Sequence, residues 1–327
     1  MLEHGGRLHR AASEYGIPLK DWLDLSTGIS PFSWPVPAIP PSAWQRLPED
    51  DDGLVEAAQV YYEAPHVLPV AGSQAAIQAL PLIRSRSRVG MLSPGYAEHA
   101  HAWRRAGHEV DEQSADTLLA DAARWDVVVL IHPNNPGGER FDPQDLLQLH
   151  AHLASRGGWL IVDEAFMDAT PEQSLCRHSD RDGMIVLRSA GKFFGLAGAR
   201  GGFVCASPAI VDALQEKLGP WTLSGPSRFV LQHALKDHAW HVQARSRLHT
   251  ESKRLTALLS KHSLVPTADT AFFQWCKYDE APALHRKLAQ RGILVRLFEM
   301  PASLRFGLLP NDAAFERLDA ALGEILR

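Results

Sequence analysis

Cysteine is scarce in this chain. Cys176, Cys205 and Cys276 are the only three, widely separated and without a C-x-x-C. That excludes a disulfide scaffold and fits a reduced, cytoplasmic protein. Long hydrophobic runs are also missing. The longest purely aliphatic stretch, 127–131, is far too short to cross a bilayer. No apolar segment follows the opening Met1-Leu2-Glu3-His4-Gly5-Gly6-Arg7, so no secretory signal and no membrane partner are expected. Basic charge is not in excess: 33 Lys and Arg against 38 Asp and Glu leave a net charge of −5, which argues against a nucleic-acid surface. H-E-x-x-H is absent, and His99/His101 and His150/His152 are spaced i, i+2 in helical-looking stretches, on different faces. No metal site is therefore expected. G-x-G-x-x-G is absent too, which weakens a dinucleotide reading. No internal repeat or low-complexity tract is evident.

What is present alternates. After a proline-rich connector, 31–48, helical and strand patterns follow one another. Helices are expected over 54–63, 73–84, 96–106 and 143–156. Strands are expected over 66–70, 89–93, 126–131, 159–162, 184–187 and 202–206. Near-continuous apolar strands such as 126–131 are typical of a buried parallel sheet. From Pro208 the texture changes to a long helical stretch reaching about Lys261, interrupted near 219–220 and 225–226. Strands at 271–277, 293–297 and 303–308 and helices at 281–291 and 311–326 follow. The pattern implies an α/β fold with a mostly parallel central sheet, helices on both faces, and a smaller α+β domain. The expected division is 1–48 as an N-terminal arm and connector joined to the small domain, 49–220 as the large domain and 221–327 as the C-terminal small domain.

The segment Ser189-Ala190-Gly191-Lys192, with Arg200 eight residues on, places one lysine in a run that is otherwise small, apolar or glycine. A buried ammonium is costly unless it is paired or converted, and a Schiff base with an aldehyde converts it. A serine hydroxyl and a guanidinium close by suit a phosphate. An aldehyde and a phosphate on one small molecule describe pyridoxal 5′-phosphate (PLP). Taken alone, the segment equally suits a surface lysine beside a solvated arginine. Four further stretches lie upstream, each after an expected strand. Gly72-Ser73-Gln74 at a helix start offers backbone N–H groups to a phosphate, or is a plain cap. Tyr96 can lie on a ring, or cap the core. Asn135, in His132-Pro133-Asn134-Asn135-Pro136, presents a fixed amide from a rigid turn. Asp163, at the end of a buried strand, needs a cation such as a protonated pyridine nitrogen, an arginine or a metal ion.

In this order, and over essentially the whole chain, the stretches resemble the PLP-dependent aminotransferase family with the aspartate-aminotransferase-like fold, fold type I. The resemblance implies that Lys192 bonds to the cofactor aldehyde, Asp163 to the ring nitrogen and Asn135 to the 3′-oxygen, with Tyr96 stacked on the ring. It implies that Gly72, Ser73, Gln74, Ser189 and Arg200 hold the phosphate, and that Arg305 binds a substrate carboxylate. It further implies a homodimer with active sites near the interface. The resemblance is nearest to the branch holding histidinol-phosphate aminotransferases and the threonine-phosphate decarboxylases of cobalamin biosynthesis. His4-Gly5-Gly6, the loop Asp24 to Pro31 and Phe166, in place of a usual tyrosine, favour the decarboxylases. Leu47 and Gly137 depart from the family, which carries tyrosine and threonine there. The expected activity is decarboxylation of L-threonine O-3-phosphate to (R)-1-amino-2-propanol O-2-phosphate. The alternatives are a histidinol-phosphate-type aminotransferase and a non-catalytic PLP-binding module. His4, Gly5, Gly6, Gly28, Asn135, Arg296 and Arg305 are the expected substrate-binding residues, with Arg296 and His4 to Gly6 as candidates for the substrate phosphate.

Overall fold

The computed structural model describes residues 3–268 and 270–326. The chain divides into two compact units. The larger comprises Ser33–Asn135 and Glu139–Val242; the smaller comprises Met1–Phe32, Pro136–Gly138 and Gln243–Arg327. Strand β1 (Leu23–Leu25) belongs to the smaller unit. The next seven, β2 (Val67–Val70), β3 (Arg88–Leu92), β4 (Glu109–Gln113), β5 (Val127–Ile131), β6 (Trp159–Asp163), β7 (Met184–Ser189) and β8 (Gly202–Ala206), belong to the larger. Strands β9 (Phe273–Lys277), β10 (Ile293–Phe298) and β11 (Ser303–Gly307) return to the smaller.

In the larger unit the strand order is β2-β8-β7-β6-β5-β3-β4. Only β8 runs against the rest. The apolar strands are hydrophobic throughout because both faces are covered. Val127, Val129, Ile185 and Leu187 pack with Ile77, Trp103 and Leu214 of the helices. Val128, Leu130, Leu160 and Val162, on the other face, are equally inaccessible. Burial of each such side chain contributes roughly 1.5–3 kcal/mol. In the smaller unit the order is β1-β10-β11-β9, with β1 parallel to β10 and the others antiparallel.

Strand β4 has no counterpart in the sequence reading. Its residues, Glu-Val-Asp-Glu-Gln, carry no apolar pattern; pairing to β3 at the sheet edge makes them a strand. The expected extended connector contains a short helix, Pro41–Gln45, with proline at its first position, where a missing N–H costs nothing. An N-terminal helix, Leu8–Tyr15, was not anticipated either. The long helical stretch breaks again at Asp237, whose carboxylate accepts from Trp240 N and from Trp34 Nε1. The expected boundaries at residues 48 and 220 both fall inside the larger unit. The buried Arg228 guanidinium grips Asp52 at 2.6 and 2.8 Å, and helix Gly225–Lys236 packs on helix Leu54–Tyr62, so residues 221–242 stay with the larger unit.

Candidate active site

The carboxyl end of the parallel strands is where an open α/β sheet presents loops to a ligand. Strand β6 ends there at Asp163, beside Ile131 of β5 and Leu187 of β7. The carboxylate is 3% exposed. Its Oδ1 accepts from Ala165 N at 3.1 Å, and its Oδ2 lies 2.9 Å from His99 Nε2. An ionised carboxylate can only accept, so His99 carries its proton on Nε2. The sequence reading weighed His99 only as a metal ligand and did not find this contact. A signal was available: His99 stands three residues after Tyr96, on the face of the same helix start, and its ring meets Tyr96 edge-on at 6.3 Å. Among the described residues no group of His, Cys, Asp and Glu is suited to hold a metal ion.

The buried arginine at the end of β7 serves the neighbour of Asp163. Arg188 pairs with Glu164 at 2.5 Å and Asp168 at 2.8 Å, all buried. Side chains alternate along a strand, so Arg188 and Ser189 face opposite sides, as do Asp163 and Glu164. The Arg188 pairs thus anchor the strand ends from behind.

A cavity of about 130 Å³ in the larger unit is lined by Gly72, Ser73, Gln74, Tyr96, Ile131, Asn135, Asp163, Ala165, Phe166, Ser189, Lys192 and Arg200. The nine residues expected to hold the cofactor are all among them. Sheet register assembles one end: Gly202 of β8 is paired with Val70 of β2 on one side and Ser189 of β7 on the other. A Cβ on Gly202 would strike Ser73 N. Gly72, at φ +75°, leaves room for the Arg200 guanidinium: a Cβ there would sit 2.7 Å from Arg200 Nη2. Arg200 is itself left-handed, at φ +53°. A guanidinium, a serine hydroxyl and the first N–H groups of a helix thus converge. That donor set, with a gap only glycine leaves open, fits a phosphate.

The remaining wall is polar at chosen points. Tyr96 Oη donates to Gln74 Oε1 at 3.1 Å, and Gln74 Nε2 donates to Glu98 Oε2 at 3.0 Å. Burial, reinforced by the charges of Glu98 and Asp163, pushes the Tyr96 phenol up to about 12, so it stays neutral. Lys192 Nζ lies 5.7 Å from the centre of the Phe166 ring. The next residues, Phe193 and Phe194, are fully buried against Trp240 and fix the lysine's base. Asn135 is placed by its neighbours. Asn134 Nδ2 donates to Pro94 O at 2.9 Å and to Glu139 Oε2 at 2.6 Å, tying this turn to the loop that leads to Tyr96. His132 Nδ1 accepts from Phe141 N at 3.3 Å. The site fits PLP: an amine, an aromatic face, a buried carboxylate and a phosphate cradle surround one cavity.

The other expected substrate residues lie in the smaller unit. Arg305 on β11 is 7% exposed, donates from Nη2 to Ser26 O at 2.8 Å and lies over the Phe273 ring. Burial, then the facing Arg296 charge, lowers its pKa to about 10, with Asp24 opposing. Arg296 is its register partner on β10 and donates to Glu3 O at 2.6 Å. His4, Gly5 and Arg296 line an open cavity of about 650 Å³. Gly6, at φ +77°, donates from N to Ser26 Oγ at 2.7 Å. Gly28 lies buried in the loop after β1.

Residues 52–322 match the family described as aminotransferase class I and II. The chain is 58% identical to a threonine-phosphate decarboxylase of Pseudomonas aeruginosa over 322 residues, 98% of this chain and 97% of that one. It is 39% identical to a threonine-phosphate decarboxylase of a Sinorhizobium species over 332 residues, 99% and 98% of the two chains. The fold matches that of a histidinol-phosphate aminotransferase from Sinorhizobium meliloti, solved in complex with pyridoxal-5′-phosphate. The TM-score is 0.86 at 20% identity, covering 100% of this chain and 95% of that one.

Proposed function

The chain belongs to the aminotransferase class I and II family, and from that premise we propose that it is a PLP-dependent lyase that decarboxylates L-threonine O-3-phosphate in cobalamin biosynthesis. The observation that carries the cofactor reading is the single cavity holding Lys192, the His99-bound Asp163 and the Ser189–Arg200 cradle. The choice of substrate follows the relatives' names over nearly the full chain.

When bound, PLP supplies an aldehyde for the substrate amine and a ring that accepts the electron pair released as CO₂ leaves Cα. Lys192 would hold that aldehyde, and its amine would supply the proton that Cα takes in place of CO₂. Asp163 would pair with the protonated ring nitrogen, and His99 orients Asp163 through its contact with Oδ2. Asn135 would donate to the 3′-oxygen, Tyr96 would cover a ring face, and Ser73, Ser189 and Arg200 would hold the phosphate. In the smaller unit, Arg305 takes the substrate carboxylate, and Arg296 with His4 to Gly6 takes the substrate phosphate.

The protein acts as a homodimer. Helices Pro41–Gln45 and Leu54–Tyr62 both pack on Gly225–Lys236 and leave Trp44, Leu47 and Val60 at least 65% exposed. An apolar set of this kind calls for a partner surface, and a second copy supplies one. Three free, buried thiols suit the cytoplasm, and among the described residues no helix is long and apolar enough to cross a membrane.

The test is CO₂ release from threonine phosphate by the pure protein without any 2-oxo acid. Turnover that requires a 2-oxo acid and releases no CO₂ marks an aminotransferase instead. Lys192→Ala is the control, and should release none.

A further inference from the structure

We propose that Ser26 is a positioning residue that couples the N-terminal strap, residues 3–6, to Arg305, so that the smaller unit reads an amino-acid carboxylate and a phosphate as one ligand. The inference rests on the function proposed above and concerns a residue to which that reading gives no role.

Ser26 is 2% exposed and has every polar group committed. Its carbonyl accepts from Arg305 Nη2 at 2.8 Å. Its hydroxyl donates to Asp24 Oδ1 at 2.6 Å, and its N–H donates to the same oxygen at 2.9 Å. With its one proton on Asp24, the hydroxyl turns a lone pair to Gly6 N, 2.7 Å away. A serine held by four such contacts has one rotamer and one backbone position.

The strap has no freedom to lie elsewhere on Ser26. A Cβ on Gly5 would run into the Ser26 carbonyl, the oxygen that Arg305 uses. A second tie, Arg296 Nη2 to Glu3 O, fixes the strap's other end. Both ties lead to the cross-strand pair Arg296 and Arg305, two like charges directly opposite in register. Asp24 and Glu3 offset part of that repulsion, and a bound anion would offset more. An anion on Arg305 pulls on the guanidinium that Ser26 O holds, and Ser26 Oγ passes that position to Gly6. Threonine, with no phosphate, gains nothing from the strap; a phosphorylated amino acid gains from both ends at once.

The experiment compares the PLP-loaded wild type with Ser26→Ala and Ser26→Thr. Hydrogen exchange at the Gly6 amide reports the strap. Calorimetry gives dissociation constants for O-phosphothreonine and threonine, and steady-state kinetics separate KM from kcat. In Ser26→Ala the Gly6 amide should exchange faster. The affinity for O-phosphothreonine should fall about tenfold, the loss of roughly one buried hydrogen bond. Threonine affinity should fall less than threefold. The KM for threonine phosphate should rise about tenfold while kcat falls far less, and Ser26→Thr should restore most of both. An unchanged ratio of the two affinities in Ser26→Ala, with a folded, PLP-loaded protein, overturns the proposal. So does a loss that is equal for both ligands. If the wild type releases no CO₂ from threonine phosphate, the proposed activity fails, and the calorimetric ratio still decides the role of Ser26.

Discussion

His99 Nε2 stands 2.9 Å from Asp163 Oδ2, and both side chains are closed off from water. The N–H of Ala165 donates to the other oxygen of this carboxylate. Removing one partner of a buried charge costs about 1–3 kcal/mol. His99→Phe keeps the ring's bulk and deletes the donor, so PLP should bind roughly ten to a hundred times more weakly and kcat should fall. Fluorescence titration with PLP checks the first effect. Affinity within twofold of the wild type would show that Asp163 does not need His99.

Asp163→Asn leaves the side chain's shape and removes its charge. PLP should still bind, held by Lys192 and the phosphate cradle, but turnover should fall by several orders of magnitude. Transition-state electrostatics of this kind are worth about 3 kcal/mol or more. Single-turnover CO₂ release measures it; a variant within about twofold of the wild type would contradict the role.

His132 gives a pH dependence. Burial, then the Arg140 charge, lowers its pKa from 6.5 to about 4, and its Nδ1 must stay unprotonated to accept from Phe141 N. The unfolded chain binds this proton between pH 6.5 and 4 and the folded chain does not. The stability present above pH 6.5 is therefore lost as pH falls through that window, by up to about 3 kcal/mol. His132→Asn retains an acceptor and cannot titrate. Urea unfolding from pH 7 to 4 should show the gap between variant and wild type changing with pH. A constant gap would place the titration elsewhere.

Trp44, 67% exposed, and Leu47, 65% exposed, stand three residues apart in the larger unit. Trp44→Glu with Leu47→Glu should convert a dimer into a monomer at micromolar concentration, read by light scattering. A fully active wild-type monomer at the same concentration would remove the dimer from the reading.

The sequence alone determined the parallel sheet and the strand ends from which Asp163, Ser189 and Lys192 reach one cavity. Both are encoded locally: apolar runs such as 127–131 suit strands buried on both faces, and Asp163, Ser189 and Lys192 follow such runs directly. Tertiary structure decided what distant segments do to one another. Strand β4 exists only because β3 offers it an edge. His99 meets Asp163 across 64 residues, Ser26 meets Arg305 across 279, and Gly72 matters because Arg200 lies where a Cβ would be. Neither the Ser26–Arg305 pair nor the Gly72–Arg200 pair has a period or spacing that a linear pattern can show. Each depends on strand register, which fixes which side chains share a face, and on burial, which makes a polar group's single partner matter.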